Sequence, residues 1–199
     1  TLADGSWSVD GLYPGVYTVE EIQPSEYLDG KDAAGSLGGT VISNADRIVD
    51  IRVPAGAAGM DYDFGELLPG SLSGFVHLDM NANCRFDPSE PFLPGVTIQL
   101  LNAQGEVIAT AVTGADGAYR FDDLAPGNYG LHQIQPEDYF DGCEHPGTAG
   151  GERTANDLIT AIVLGSGIHA GGYIFAEIPP ARLSGYVYED DDADGWNDP

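Results

Sequence analysis

The feature that most constrains this chain is that it repeats itself. Residues 1–30, TLADGSWSVDGLYPGVYTVEEIQPSEYLDG, align without a gap on residues 113–142, TGADGAYRFDDLAPGNYGLHQIQPEDYFDG, and fifteen of the thirty positions are identical. The offset of 112 becomes 111 where DYDFGELLPGSLSG (61–74) meets GYIFAEIPPARLSG (172–185), and SGFVHLDMNANCRFDP (73–88) meets SGYVYEDDDADGWNDP (184–199) at the same 111. Repetition at a fixed period sets the architecture, and units of this length are domain-sized. The chain divides into the last two-thirds of a first repeat (1–70), one complete repeat (71–181) and the truncated start of a third (182–199). The joining stretches ELLPGS and EIPPAR are too brief and too Pro-rich to be flexible tethers, which predicts a rod. Because it opens at Thr1 in mid-repeat, the chain reads as a fragment of something longer.

Within the complete repeat the apolar residues recur with period two, the strand signature. Val96, Ile98 and Leu100 alternate with Thr97 and Gln99, Tyr119 and Phe121 with Arg120 and Asp122, and Tyr173 and Phe175 with Ile174 and Ala176. Seven strands follow, SGFVHL, GVTIQLL, VIATAVT, AYRFDDL, NYGLHQI, LITAIVL and YIFAEI, broken by the turn dipeptides Gln104-Gly105, Asp116-Gly117, Pro126-Gly127 and Asp141-Gly142. The predicted class is all-β: tandem seven-stranded antiparallel β-sandwiches of an Ig-like Greek-key kind. The aromatics Trp7, Tyr119, Tyr129 and Tyr173 are expected in cores, with Tyr129 as a corner residue whose hydroxyl caps backbone.

Charge narrows the partners. Seven Lys+Arg against 32 Asp+Glu give a net −25, which argues against nucleic acid and anionic lipid and in favour of cations. No apolar run reaches the roughly 18 residues of a membrane span, so no membrane insertion is expected in this segment.

The chemistry is concentrated in one loop. Asp79, Asn81, Asn83, Arg85, Asp87 and Glu90 occupy positions 1, 3, 5, 7, 9 and 12 of a twelve-residue run. That spacing lets a loop wrap side-chain oxygens from 1, 3, 5, 9 and 12 and the backbone carbonyl of Arg85 around one Ca²⁺, and a hard all-oxygen set disfavours zinc or copper. The third repeat carries a second, incomplete loop: Asp190, Asp192, Asp194, Trp196 through its backbone, and Asp198. Position 6, usually Gly because the chain turns sharply there, is Cys84 in the middle repeat and Gly195 in the third. The plain alternative is an acidic turn that binds no metal.

If successive strands alternate in direction, the calcium loop, the TGADG turn and the long loop after the fifth strand meet at one pole. Asp116, Asp138, Asp141, Glu144 and Asp157 become candidate further calcium ligands, with Asp4, Glu26, Asp29 and Asp46 as counterparts in the first repeat. Asp116 serving its hairpin alone, and Asp157 capping its loop, is the other reading. Cys84 and Cys143 map to that same pole and occur only in the middle repeat, so they are either a disulfide or two unrelated exposed thiols.

The motifs SGxV, DxNxNxxxDxxE, GVTIxLL, TGADGxYxF, LxPGxY and QPxxYxDG recur in order across essentially the whole chain. In this they resemble the B-type repeat, the SdrD B-like domain, of bacterial serine-aspartate repeat surface proteins, within the collagen-adhesin B, prealbumin-like superfamily. The resemblance implies an extracellular β-sandwich of a cell-surface or secreted protein, serving as a stalk or adhesive module with calcium in its first long loop. The Lys-Asn isopeptide of many such relatives is excluded between 71 and 181, because Lys31 is the only lysine.

Catalysis finds little support. His77, His132, His145 and His169 lie on different elements and are expected to be solvated or on strand faces, and Ser166 lacks the strand-turn-helix setting of a nucleophile elbow. The resulting expectation is a non-enzymatic, calcium-binding stalk or spacer whose partners are neighbouring repeats. The alternative is an adhesive module that grips an extracellular protein or glycan through loops or a strand edge.

Overall fold

A computed structural model describes residues 1–43 and 45–189; among them there is no helix. Five strands occupy the first part: β1 Gly15–Glu20, β2 Leu28–Asp29, β3 Thr40–Ile42, β4 Arg47–Val53 and β5 Glu66–Leu67. Nine follow: β6 Gly70–Leu78, β7 Thr97–Leu101, β8 Val107–Val112, β9 Ala118–Leu124, β10 Gly127–Gln133, β11 Phe140–His145, β12 Glu152–Ala155, β13 Leu158–Leu164 and β14 His169–Ile178. The last nine form a five-stranded sheet in the order β12-β13-β10-β7-β8 and a four-stranded sheet in the order β11-β14-β6-β9. Period-two alternation turns one face of each sheet inward, and Leu72, Val76, Ile98, Leu100, Leu131, Ile159, Ile162, Tyr173 and Phe175 form the core of this all-β sandwich.

All seven expected strands are present, and two are added. β11 (FDGCEH) and β12 (ERTA) lie inside what reads as one long loop, because neither carries an alternating apolar series to announce it. The sheets are also not wholly antiparallel. β14 runs parallel to β6, paired from His169↔Ser71 to Glu177↔Leu78 with a register shift between Ala170 and Tyr173, so the first and last strands of the sandwich finish at the same end.

Gly74 is where that central pair closes. A Cβ there would overlap the Tyr173 carbonyl, which accepts a hydrogen bond from the Tyr119 hydroxyl at 3.0 Å. Gly74→Ala is expected to destabilise the chain by ~1–3 kcal/mol, read as a lower urea midpoint with an unchanged slope. An unaltered midpoint would mean that β6 and β14 stand further apart.

The first part repeats the second in outline. Its β1-β4-β3 sheet packs Ile48, Ile51 and Tyr62 inward, and the β1–β4 pairing shifts register after Tyr17 as β10–β13 does after Tyr129. The Tyr129 hydroxyl donates to the Ala125 carbonyl and that of Tyr17 to the Tyr13 carbonyl, each at 2.6 Å. Trp7 departs from expectation: it is 38% exposed and joins neither core. It lies outside any strand, so it has no sheet face to direct it inward.

Between the two parts, β5 is separated from β6 by Leu68 and Pro69 alone. The Leu68 N–H donates to Ser166 Oγ and its carbonyl accepts from the Gly167 N–H, both at 2.9 Å. The connecting residue is thereby held on the turn that precedes β14.

Candidate metal centre

β6 ends at Leu78, and the chain enters the loop 79–90 at the pole where β14 also ends; the Asp79 N–H donates to the Glu177 carbonyl at 2.8 Å. Asp79 is 1% exposed, and its two carboxylate oxygens accept from the N–H groups of Asn83 (3.1 Å) and Cys84 (2.8 Å). Burial raises its pKa, but the backbone donors of Cys84, Asn83, Asn81 and Ala82 outweigh that and hold it below the usual carboxylate value. Asn81 Oδ1 accepts from Asn83 N–H and Asn83 Oδ1 from Arg85 N–H, while both amide Nδ2 groups donate to Asp87 Oδ2 at 2.9 and 3.0 Å. Glu90 closes the ring, its two oxygens accepting from Met80 N–H and Asp87 N–H at 3.0 Å.

Two further details fit a cation-wrapping loop. Cys84 has φ 60°, the left-handed turn that position 6 requires. Among the described residues, no Lys or Arg side chain pairs with Asp79, Asp87 or Glu90; the nearest basic group is His77, whose Nδ1 stands 3.2 Å from Glu90 Oε2. His77 is fully buried rather than solvated, beneath Phe86, which packs edge-on to it at 5.1 Å. Burial lowers its pKa and outweighs the opposing charge of Glu90, so the neutral imidazole is favoured.

Asp141, Glu144 and Asp157 come together: one carboxylate oxygen from each lies within 4.8 Å of the others. The turn between β12 and β13 brings in Asp157, whose N–H donates to Glu144 Oε1 at 2.7 Å, and Arg153 Nε stands 3.2 Å from Glu144 Oε2. Burial, and then the charges of Asp141 and Glu144, push Asp157 up to about 6. Asp141 is raised by burial and by Glu144. Asp116 and Asp138 do not join this group. Asp116 is exposed and accepts from Ala118 N–H at 3.1 Å within its own turn, and Asp138 faces solvent ahead of β11.

The first part holds the matching triad Asp29, Asp32 and Asp46. Asp32 was missing from the sequence-derived set, although the offset of 112 from Glu144 points straight to it. Beneath the second triad lies a group that the sequence did not announce. The fully buried Glu177 accepts from Gln133 Nε2 and, at 2.6 Å, from Gln135 Nε2, and Gln133 Nε2 also donates to Asp157 Oδ1 at 3.1 Å. Burial pushes Glu177 up to about 7, against the pull of the two amide donors. Its counterpart Glu66 accepts from Gln23 at 2.6 Å, so this contact also repeats.

Cys84 and Cys143 are bonded to one another, with Cα atoms 5.5 Å apart, and they tie the loop 79–90 to β11. The second loop that the sequence offers as a calcium site, Asp190, Asp192, Asp194, Trp196 and Asp198, lies outside the described residues.

The SdrD B-like domain family matches residues 70–165, the stretch that spans β6 to β13. The whole chain is 30% identical, over 212 residues, to serine-aspartate repeat-containing protein D of Staphylococcus aureus strain Newman, of which the match covers 15%. It is 29% identical over 203 residues to the bone sialoprotein-binding protein of strain MRSA252, covering 17% of that protein. The chain therefore spans about 15% of the length of the curated relatives it matches. Among solved structures, it is similar to the minor pilin GBS52 of Streptococcus agalactiae (12% identity, TM-score 0.39, 70% of this chain and 61% of that one). It is similar also to the Bacillus anthracis TIE protein (19% identity, TM-score 0.38, 84% of this chain and 26% of that one). The SdrD B-like domain is a surface adhesin-related stalk or spacer domain, and its setting is extracellular.

Proposed function

We propose that residues 70–178 are a calcium-stiffened, non-catalytic stalk unit, with one Ca²⁺ held by Asp79, Asn81, Asn83, Asp87, Glu90 and the Arg85 carbonyl. The observation that carries this reading is the convergence of three carboxylates, two of them buried, in a loop whose position 6 already has the required positive φ. Asp141, Glu144 and Asp157 take a second ion, and Asp29, Asp32 and Asp46 take its equivalent in the first repeat. The role of the ions is mechanical. They cancel charge at the pole from which β14 runs on toward the next repeat, and so restrict bending there.

Calorimetric titration of the full chain with CaCl₂, repeated on Asp79→Asn and on Asp157→Asn, tests the assignment. Each variant is expected to lose one equivalent of bound calcium and keep the others. A chain that takes up no calcium at millimolar concentration refutes the reading. Small-angle scattering adds the mechanical arm: chelation is expected to shorten the maximum dimension.

A second reading rests on β8, an edge strand that leaves Val107, Ile108 and Val112 about half exposed (51%, 50% and 60%) and carries no charge. An extended segment of an extracellular protein could add to that edge. A Thr110→Pro variant that retained binding to a captured matrix protein would exclude this mode.

A further inference from the structure

The disulfide lies where the two candidate ion sites meet. Cys84 is position 6 of the loop 79–90, and Cys143 stands on β11 between Asp141 and Glu144, 59 residues further along. A second contact reinforces the bond: His145 Nε2 donates to the Cys84 carbonyl at 2.7 Å. The bond is particular to the middle repeat, since the third has Gly195 at the Cys84 position and the first has Lys31 at that of Cys143.

We infer that the Cys84–Cys143 bond is a redox-controlled brace that sets the calcium affinity of the loop 79–90; this rests on the calcium reading above. A glycine at position 6 adopts positive φ without steric cost, whereas a residue with a Cβ resists it. In this chain the cross-link supplies what glycine would have supplied. It holds Cys84 at φ 60°, and that geometry aims the Cys84 and Asn83 N–H groups at the Asp79 carboxylate and keeps the loop oxygens facing one another. Pre-organisation of this kind is worth affinity because the ion does not have to order the loop.

Cys84 is exposed, so a small reductant can reach the bond. A dithiol thiolate attacks one Sγ to form a mixed disulfide and release the other cysteine as a thiol. The second dithiol sulfur then closes onto the first. The protein gains two electrons and two protons as two thiols, and the dithiol leaves as a cyclic disulfide. Freed from the brace, Cys84 relaxes toward negative φ and Asp79 loses its donors. Linkage makes the effect reciprocal: if oxidation tightens calcium binding, bound calcium must protect the bond from reduction by the same factor.

The test is calcium titration of the full chain, oxidised and after reduction with dithiothreitol, with the loop site identified as the one lost in Asp79→Asn. Reduction is expected to weaken that site about tenfold and leave other sites within twofold. At equilibrium with a fixed ratio of reduced to oxidised dithiothreitol, the bond should be correspondingly harder to reduce in saturating calcium than in chelator. Because the reduced chain could lose its fold, two double variants, checked by circular dichroism, provide an independent arm. Cys84→Gly/Cys143→Ser should bind more tightly than Cys84→Ala/Cys143→Ser, and both more weakly than the oxidised chain. Equal loop affinity in the oxidised chain and the alanine double variant overturns the brace and leaves the calcium reading standing. Absence of calcium binding by the oxidised chain overturns both.

Discussion

Saturating calcium is expected to raise the thermal midpoint of the metal-free chain by about 10–20 °C. A ligand that binds only the folded state at 100 times its dissociation constant adds ~2.7 kcal/mol, and 1 kcal/mol moves the midpoint of a domain of this size by ~4–8 °C. The effect is large because the free loop is under electrostatic load. Asp79, Asp87 and Glu90 face one another with only backbone and amide N–H groups and a neutral-favoured imidazole to offset them. Asp79→Asn separates the ion from the fold. In chelator the variant should melt within a few degrees of the parent, since the weaker bonds from the Asn83 and Cys84 N–H groups are offset by relief of repulsion from Asp87 and Glu90 while the shape is kept. In calcium it should lose most of the upward shift. Scanning calorimetry of both proteins, with chelator and with calcium, checks this; a calcium shift that survives in Asp79→Asn would place the ion elsewhere.

Without calcium, stability is expected to fall as pH rises from about 4 to about 7. Asp157 and Glu177 have folded pKa values of about 6 and about 7, against 3.8 and 4.5 for the free groups. Between those limits the folded chain binds more protons than the unfolded one, so the slope of stability with pH is negative. The contribution is fully present below pH 4 and is lost once both groups ionise in the folded state. Each pKa unit corresponds to ~1.4 kcal/mol, and with sharing between coupled neighbours the total is of the order of 3 kcal/mol. The self-repulsion of a chain of net charge −25 acts in the same direction. Asp79, held below its free value, acts oppositely, and its contribution disappears only as pH falls through the lower carboxylate range.

Glu177→Gln should flatten the profile and be more stable than the parent at pH 8. Calcium should remove or reverse the slope, because an ion at Asp141, Glu144 and Asp157 favours the ionised forms. Urea midpoints at pH 5 and pH 8, with and without calcium, are the measurement. A metal-free midpoint that does not fall between these pH values would show that the folded carboxyls are not raised above their free values.

Much of this was legible in the residues. The repeat, the alternation of Ile98 with Gln99 and of Tyr119 with Arg120, the twelve-residue spacing from Asp79 to Glu90 and the pairing of Cys84 with Cys143 at one pole all rest on short-range pattern or simple strand parity. What was not legible depended on neighbours distant in sequence. β11 and β12 pair with β14 and β13 through backbone alone, and FDGCEH and ERTA carry no alternating apolar signal. His77, expected to be solvated or on a strand face, lies on β6 and is buried because the loop 79–90 folds back over that strand and lays Phe86 on it.

By itself, then, the sequence determined which oxygens share a loop, because ligand spacing within a dozen residues is a local property of the chain. Only the tertiary structure decided which acids meet across loops. It brought Asp141, Glu144 and Asp157 together and left Asp116 and Asp138 in solvent, and it placed Glu177 beneath the triad, where burial raises its pKa to about 7. Desolvation and like-charge repulsion depend on three-dimensional distance and on exclusion of water, and neither is written in the order of the residues.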